Sequence, residues 1–394
     1  MEAARILIAG AGIGGLTAAA ALTRAGFAVT VCERAAEIRP VGAGLSLQPN
    51  AVAALRTLGL ADRIVAAGER SGPAAILEPS GRVISRMDIS AFWREEVGVT
   101  VHRATLHRLL LAAAGDARVE LGAAVAGVET VAAGVRLHLE DGRRIEGDLL
   151  IGADGIRSAV RRHLLADGEP LYAGYFCWRG VCPALPQPLA GLSETWGRGQ
   201  RFGLVPIDGG RIYWFAVVNG PPGGVDRPGE VKSHLEKRFA GWHEPIAAVL
   251  AATPEAAIVR GDILYRKPAA TWGRGNITLL GDAAHPMTPD FGQGACQAIE
   301  DAVVLAAVLA EAPPKQLAAA LRRYEKLRQP RTAAIVRNAA RFGGMAQWQN
   351  PMLCSVRNWL NAKIPQKTLE KEVSRLWRFP GPSPQKTRDR PVMG

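Results

Sequence analysis

Close to the start of the chain an uninterrupted apolar run, Ile6 to Ala9, leads into Gly10-Ala11-Gly12-Ile13-Gly14-Gly15. A short run that is apolar at every position reads as a strand buried on both faces. The stretch from Gly15 to Gly26 has helical spacing, small residues for a sheet-facing side, and a glycine suited to a C-cap. A second apolar strand, Phe27 to Cys32, ends at Glu33. Two later segments have a similar plan. Leu149 to Ala153 runs into Asp154-Gly155 and a basic helix, and Ile277 to Gly281 runs into Asp282, a Pro- and Gly-rich loop and a long helix from about Gly294. An acid at the carboxyl end of such a strand marks where α/β sheets take ligands.

Between about Tyr172 and Lys267 the period changes. YAGYFCWRGV, RFGLVPI and RIYWFAVV are aromatic and alternating, broken by glycine and proline turns, and predict a mainly antiparallel sheet inserted between two α/β portions. From 314 to about 378 the pattern predicts helices, the first of them amphipathic and interrupted at Pro330. The segments NPMLCSVRNWLNAKIP and LEKEVSRLWRF are expected to pack on the α/β part, with a membrane surface or a partner as the alternative. The last residues, 381–394, read as a loose tail.

Composition narrows the class. A chain of 394 residues exceeds one small core, and 48% hydrophobic with 21% charged residues is ordinary for a soluble protein. Five scattered cysteines without a CxxC exclude a disulfide framework and a zinc site, so no metal is expected and a reducing cytoplasm is. The apolar stretch 6–22 lacks the basic flank and cleavage site of a signal peptide. A net charge of +12, concentrated after residue 315, fits a solvated helix face, or attraction of an anionic cofactor, substrate or membrane. No nucleic-acid module accompanies it, so nucleic acid is not an expected partner.

Gly10-x-Gly12-x-x-Gly15, framed by strand and helix and followed by Glu33, is a dinucleotide fingerprint. Gly10 permits the tight turn, Gly12 lets a pyrophosphate approach the backbone, and Gly15 lets the helix pack closely. Gly14 belongs to the same turn. Free N–H groups and the helix dipole then favour phosphate, and Glu33 suits a ribose diol. NAD and FAD share this fingerprint.

The motifs GAGIGG, GADGIRS and GDAAHP, with HRATLHRLL at His102–Leu110, occur in the order and spacing of the class A FAD-dependent aromatic monooxygenases, the para-hydroxybenzoate hydroxylase family, which the chain resembles from residue 5 to about 330. IRPVGAGLSLQPNAV, YAGY…W and TPDFGQGACQAIEDAVVLA resemble the FAD-dependent urate hydroxylase and zeaxanthin-epoxidase-like branch. The resemblance implies an α/β (α+β overall) architecture: a Rossmann-type FAD-binding domain, an inserted antiparallel substrate domain and C-terminal helices. The divisions expected are 1–170 (FAD, with a substrate segment near 70–100), 171–270 (substrate), 271–340 (FAD) and 341–394 (helices and tail).

It also implies roles. Gly10, Gly12, Gly14 and Gly15 hold the FAD pyrophosphate, Glu33 and Arg34 the adenosine, and Arg103 the linker. Asp154 and Gly155 belong to a motif linked with FAD and NAD(P)H. Asp282 binds the ribityl or pyrophosphate portion, or is a plain helix cap. Pro289 to Ala295 runs beside the isoalloxazine, where Gly292 and Gly294 free backbone N–H groups for its O2 edge. His285 is read as structural. By the urate hydroxylase pattern Arg201, Tyr213 and Asp290 lie near substrate, the Arg201–Asp290 pair helping to draw off a proton; Tyr213 is otherwise a strand aromatic. The implied reaction consumes NADPH or NADH, met transiently, and inserts one oxygen of O2 into an aromatic or otherwise electron-rich small molecule through a flavin C4a-hydroperoxide. The rivals are a FAD-dependent reductase of an unsaturated substrate and a non-catalytic flavoprotein redox sensor. A monomer or homodimer is expected.

Overall fold

The computed structural model describes residues 3–38, 43–88, 97–132 and 134–381. Part of the stretch IRPVGAGLSLQPNAV and nearly all of the expected tail therefore lie outside the described residues. A five-stranded parallel sheet forms the base, in the order Ile277–Leu279, Leu149–Gly152, Arg5–Ala9, Ala28–Cys32, Arg118–Glu120. Its central strands are almost wholly buried, as a sheet covered on both faces requires. The helices Ile13–Arg24 and Gly294–Ala310 pack together in the main core, joined there by Pro49–Thr57 and Arg103–Ala113.

A second layer is a seven-stranded sheet. Its order is Val259–Tyr265, Leu171–Cys182, Ile212–Asn219, Gln200–Pro206, Leu192–Trp196, Ala74–Leu77, Val83–Met87. All its pairings are antiparallel except Leu192–Trp196 with Ala74–Leu77. One face carries Phe176, Trp178, Phe202 and Trp214 and is covered by the helices Val231–Arg238 and Ile246–Ala252. The other carries Tyr175, Cys177 and Val217. A small sheet containing Gly44–Leu47 and Val99–His102 bridges the two layers. There Thr100 Oγ1 donates to the Pro206 carbonyl at 2.5 Å, and the His102 N–H donates to Asp208 at 2.6 Å.

Pro330 does not interrupt its helix. Leu317–Ala346 is continuous. A proline in a helix interior costs about 3 kcal/mol, and side chains on both sides of Pro330 offset that cost. Arg328 donates to Glu300 at 2.5 Å, to Asp301 at 2.6 Å and to Gln297 Oε1 at 2.6 Å, while Arg331 forks onto Glu300 at 2.9 Å. Asn50 donates to Glu300 at 2.6 Å, which draws the helix Pro49–Thr57 into the same cluster. Asp301 accepts the Gly281 N–H at 3.0 Å and lies 2.6 Å from His285 Nε2. One buried charge cluster therefore ties three helices to the turn that bears Asp282.

Burial pushes the Asp301 carboxyl upward, but His285 and Arg328 outweigh it and hold the group at about 2, against an ordinary 3.8. A depressed folded-state value stabilises the fold above the ordinary value, and that contribution is lost as pH falls through 3.8 to 2. Replacing Arg328 with Met removes one of the two cationic side chains that meet each of two buried carboxylates, leaving Glu300 to Arg331 and Asp301 to His285. Urea denaturation at neutral pH is expected to show a loss of about 3–5 kcal/mol. In the wild type, the acid side of the stability profile is expected to fall between pH 4 and pH 2 as Asp301 protonates. A variant as stable as wild type would remove the cluster from this account.

Candidate active site

The first glycine turn is built as a cradle. Gly10 has φ +100°, and a Cβ there would lie 2.6 Å from the Ala153 carbonyl oxygen. Gly15 faces the Gly10 carbonyl, so any side chain would push the helix off the strand. Gly12 caps the helix Ile13–Arg24, and nothing lies within 4 Å of the place a Cβ would occupy. Its backbone is open on that side. Gly14 is closely packed: a Cβ there would meet Leu280 at 2.6 Å and Ala298 at 3.1 Å, so the helix sits tightly against its neighbours at this position.

A groove of about 750 Å³ opens over this turn, lined by Gly10, Gly12, Glu33 and Arg34. Arg103, Asp154 and Gly155 line it too. Glu33 accepts the Ala11 N–H at 2.8 Å and the Ala35 N–H at 2.9 Å, one on each oxygen. A carboxylate has about four acceptor sites, so it keeps capacity for a diol. Asp154 is more fully engaged. It accepts the Ala159 N–H at 2.7 Å, the Val160 N–H at 3.2 Å and the Ser158 hydroxyl, which makes it a brace for the helix Ala159–Leu165. Burial raises its pKa, and those bonds pull it back. His107, which the sequence reading passed over, holds the Ala11 carbonyl through Nε2 at 2.7 Å.

Asp282 stands outside the described lining of that groove. Its surroundings push its carboxyl upward, with His285 and Arg103 pulling it down. Its Oδ1 is 3.9 Å from where a Gly294 Cβ would be, so the helix Gly294–Ala310 begins beside it. The 3-10 turn Pro289–Phe291 and Gly292, with φ +62°, lead into this helix. Gly292 does not offer its N–H outward: it donates to the Pro289 carbonyl at 2.8 Å. The open donors belong to the first turn of the helix, at Gly294 and Ala295, which has no intrahelical acceptors.

This loop is pinned to the seven-stranded sheet. Arg201, 2% exposed, donates to Asp290 Oδ1 at 2.7 Å, to Glu194 at 2.8 Å and to Gln347 at 3.2 Å. Tyr175 donates to Asp290 Oδ2 at 2.8 Å. Burial opposes the Arg201 charge, but Glu194 and Asp290 raise its pKa overall. Burial and the neighbouring Asp290 push the Tyr175 phenol far up, so it remains a donor. The structure thus brings Arg201 and Asp290 together and adds Tyr175, Glu194 and Gln347. Tyr213 is not in this cluster. It lies opposite Val181 and Val205, with Arg179 diagonally across from it on the same sheet face. Burial, chiefly, keeps the Tyr213 phenol protonated.

Arg179 is the residue that sequence reasoning missed here. It sits across from Phe215 and diagonally from Tyr213 on the same face, and it is half-buried. Among the described residues no carboxylate pairs with it. The alternation of the strand Leu171–Cys182 places 175, 177 and 179 on one face, but only the pairing of strands shows which partners each one meets. The strand Gly44–Leu47 borders the same space. Gly44 abuts the Tyr213 ring, and Gln48 lies beside Gly292.

The arrangement fits FAD. The open backbone at Gly12, the helix terminus behind it, a diol acceptor at Glu33 and Arg103 farther along are the donor set of a pyrophosphate-linked nucleotide. Comparison with known proteins agrees. The family described as FAD binding domain matches residues 3–339. The chain is 46% identical over 379 residues to aurachin C monooxygenase/isomerase of Stigmatella aurantiaca, covering 95% of this chain and 98% of that protein. It is 39% identical over 346 residues to 3-amino-4-hydroxybenzoate 2-monooxygenase of Streptomyces cremeus, covering 86% of each. Klebsiella pneumoniae HpxO, solved with FAD and uric acid, matches with a TM-score of 0.89 at 32% identity over 96% of this chain and 97% of that one. The chain belongs to the FAD-binding family of class A flavoprotein monooxygenases.

Proposed function

We propose that the protein is an NADH- or NADPH-dependent hydroxylase that inserts one oxygen atom of O2 into an aromatic ring bearing an acidic hydroxyl, oxo or carboxylate group. The observation that carries this reading is the Arg179–Tyr213 pair on the sheet face that meets the flavin loop. A half-buried guanidinium that meets no carboxylate among the described residues favours an anion beside it. An anionic substrate oxygen supplies the missing counter-charge. The compounds named with two relatives, uric acid and 3-amino-4-hydroxybenzoate, carry such groups.

Bound FAD supplies the electron transfer and the activation of O2. The chain does the rest. Gly10, Gly12, Gly15, Glu33, Arg34 and Arg103 hold the nucleotide end, with Asp154, Gly155 and Asp282 bordering it. Pro289, Gly294 and Ala295 hold the ring end, where the first helical N–H groups favour negative charge. The Asp290 side chain is wholly buried and ion-paired with Arg201, so Arg201 and Asp290 act by holding the loop against the sheet. Tyr213 and Arg179 meet the acidic group of the substrate and stabilise its anion, which makes the ring electron-rich. Phe291 packs on Phe342 with centroids 5.3 Å apart, and Phe342 on Trp196 at 5.7 Å. These rings help keep water from the loop. NADH or NADPH meets the protein transiently.

The test offers aurachin C, uric acid and 3-amino-4-hydroxybenzoate to the FAD-loaded protein under 18O2, with NADH or NADPH. Stimulated cofactor oxidation and one labelled oxygen in the product are expected. Cofactor oxidation that yields an unlabelled, hydrogenated product would instead identify a reductase. For the active acidic substrate, Arg179→Met removes a charged hydrogen bond and is expected to lower kcat/KM roughly 10- to 150-fold, from about 1.5–3 kcal/mol. Tyr213→Phe is expected to lower it by about tenfold or less. Bound FAD should be unchanged in both. Wild-type kcat/KM in Arg179→Met would remove the anion anchor.

A further inference from the structure

The helix Pro351–Lys363 is inverted. Its inward face is polar: Cys354 and Arg357 are buried, with Asn358 and Asn361 half-buried beside them. Arg357 donates to the Ala346 carbonyl at 2.7 Å and lies 4.9 Å from the Trp196 ring centroid, and Asn358 donates to Glu78 at 3.1 Å. Asn350 caps the first turn by accepting the Met352 and Leu353 N–H groups at 2.9 and 3.2 Å. The helix is therefore anchored, and its apolar residues point outward. Met352 is 76% exposed and Trp359 60%, and Leu353, Val356, Leu360 and Ile364 are exposed with them. At 3.6 residues per turn these six positions fall within an arc of about 140°. A surface helix ordinarily turns such a stripe to the core, and a contiguous exposed apolar patch marks an interaction site.

We propose that this outward face docks on an anionic lipid surface. Charge complementarity selects that occupant. Lys363 falls inside the apolar arc, Lys367 follows it, and no acid occurs from Pro351 to Leu369. A tryptophan and leucines with lysines at their border form the pattern that settles at the headgroup boundary. A second copy of the chain is a poor fit. One helix face about 20 Å long and about 10 Å wide offers roughly 200 Å², against about 800 Å² per partner in a stable interface. The segment 382–394 has only Val392 and Met393 as large apolar residues, too few to cover the stripe.

Co-sedimentation of the full-length, FAD-loaded protein with vesicles tests this. Binding to phosphatidylglycerol-containing vesicles at low salt is expected to be at least about tenfold tighter than to neutral phosphatidylcholine, and to weaken with salt. Trp359→Ser combined with Leu360→Ser should lower binding to anionic vesicles about tenfold or more. Lys363→Gln with Lys367→Gln should abolish most of the preference for anionic lipid. All of these residues are exposed, so bound FAD and turnover should stay at wild-type levels. Protein that stays in the supernatant with anionic vesicles, or serine variants that bind as wild type does, would overturn the proposal. Light scattering that finds a dimer which Trp359→Ser converts to monomer would also overturn it, and would assign the face to self-association.

Discussion

The ion pair between Arg201 and Asp290 is the constraint on which the site depends. Its partners come from different layers, one from the sheet strand Gln200–Pro206 and one from the turn Pro289–Phe291. A guanidinium that deep is tolerated only when its donors are met, so Glu194 and Gln347 complete the set. Tyr175 closes the other oxygen of Asp290. Gly343, on the long helix, is held to glycine because a Cβ would collide with Asp290 and Tyr175. A single buried charge thereby fixes sheet, loop and helix relative to one another.

The second buried cluster does comparable work behind the loop. Asp301 holds the Gly281 N–H, Glu300 gathers Arg328, Arg331 and Asn50, and the glycine turn before Asp282 cannot drift from the helix that follows it. The nucleotide groove and the ring-proximal loop are thus positioned by rigid elements. On the proposed function, the site between them is left to a few groups, Arg179, Tyr213 and the first N–H groups of a helix. That division suits chemistry in which the cofactor reacts and the protein orients, supplies charge and excludes water.

Much of this was legible in the chain. Apolar runs that end in glycine and acid predicted the parallel strands, and period-two aromatic runs predicted the antiparallel sheet. The misses share a cause: a sequence pattern gives a face but not what that face meets. Tyr175 and Arg179 alternate visibly with Cys177, yet their partners come from other strands and a distant loop. Pro330 should break a helix, and tertiary ion pairs override it. The segment NPMLCSVRNWLNAKIP mixes Trp, Leu and Arg, and that mixture does not say that Arg357 turns inward while Trp359 and Leu360 turn out.

The most direct test of the central claim is a double-mutant cycle on FAD affinity. Dissociation constants would be measured for wild type, Arg201→Gln, Asp290→Asn and the double variant, all checked for folding. If the pair holds the loop, each single change weakens FAD binding and the double change adds little further, a coupling of roughly 1–3 kcal/mol. Strictly additive effects, or singles that bind FAD as tightly as wild type, would contradict the account.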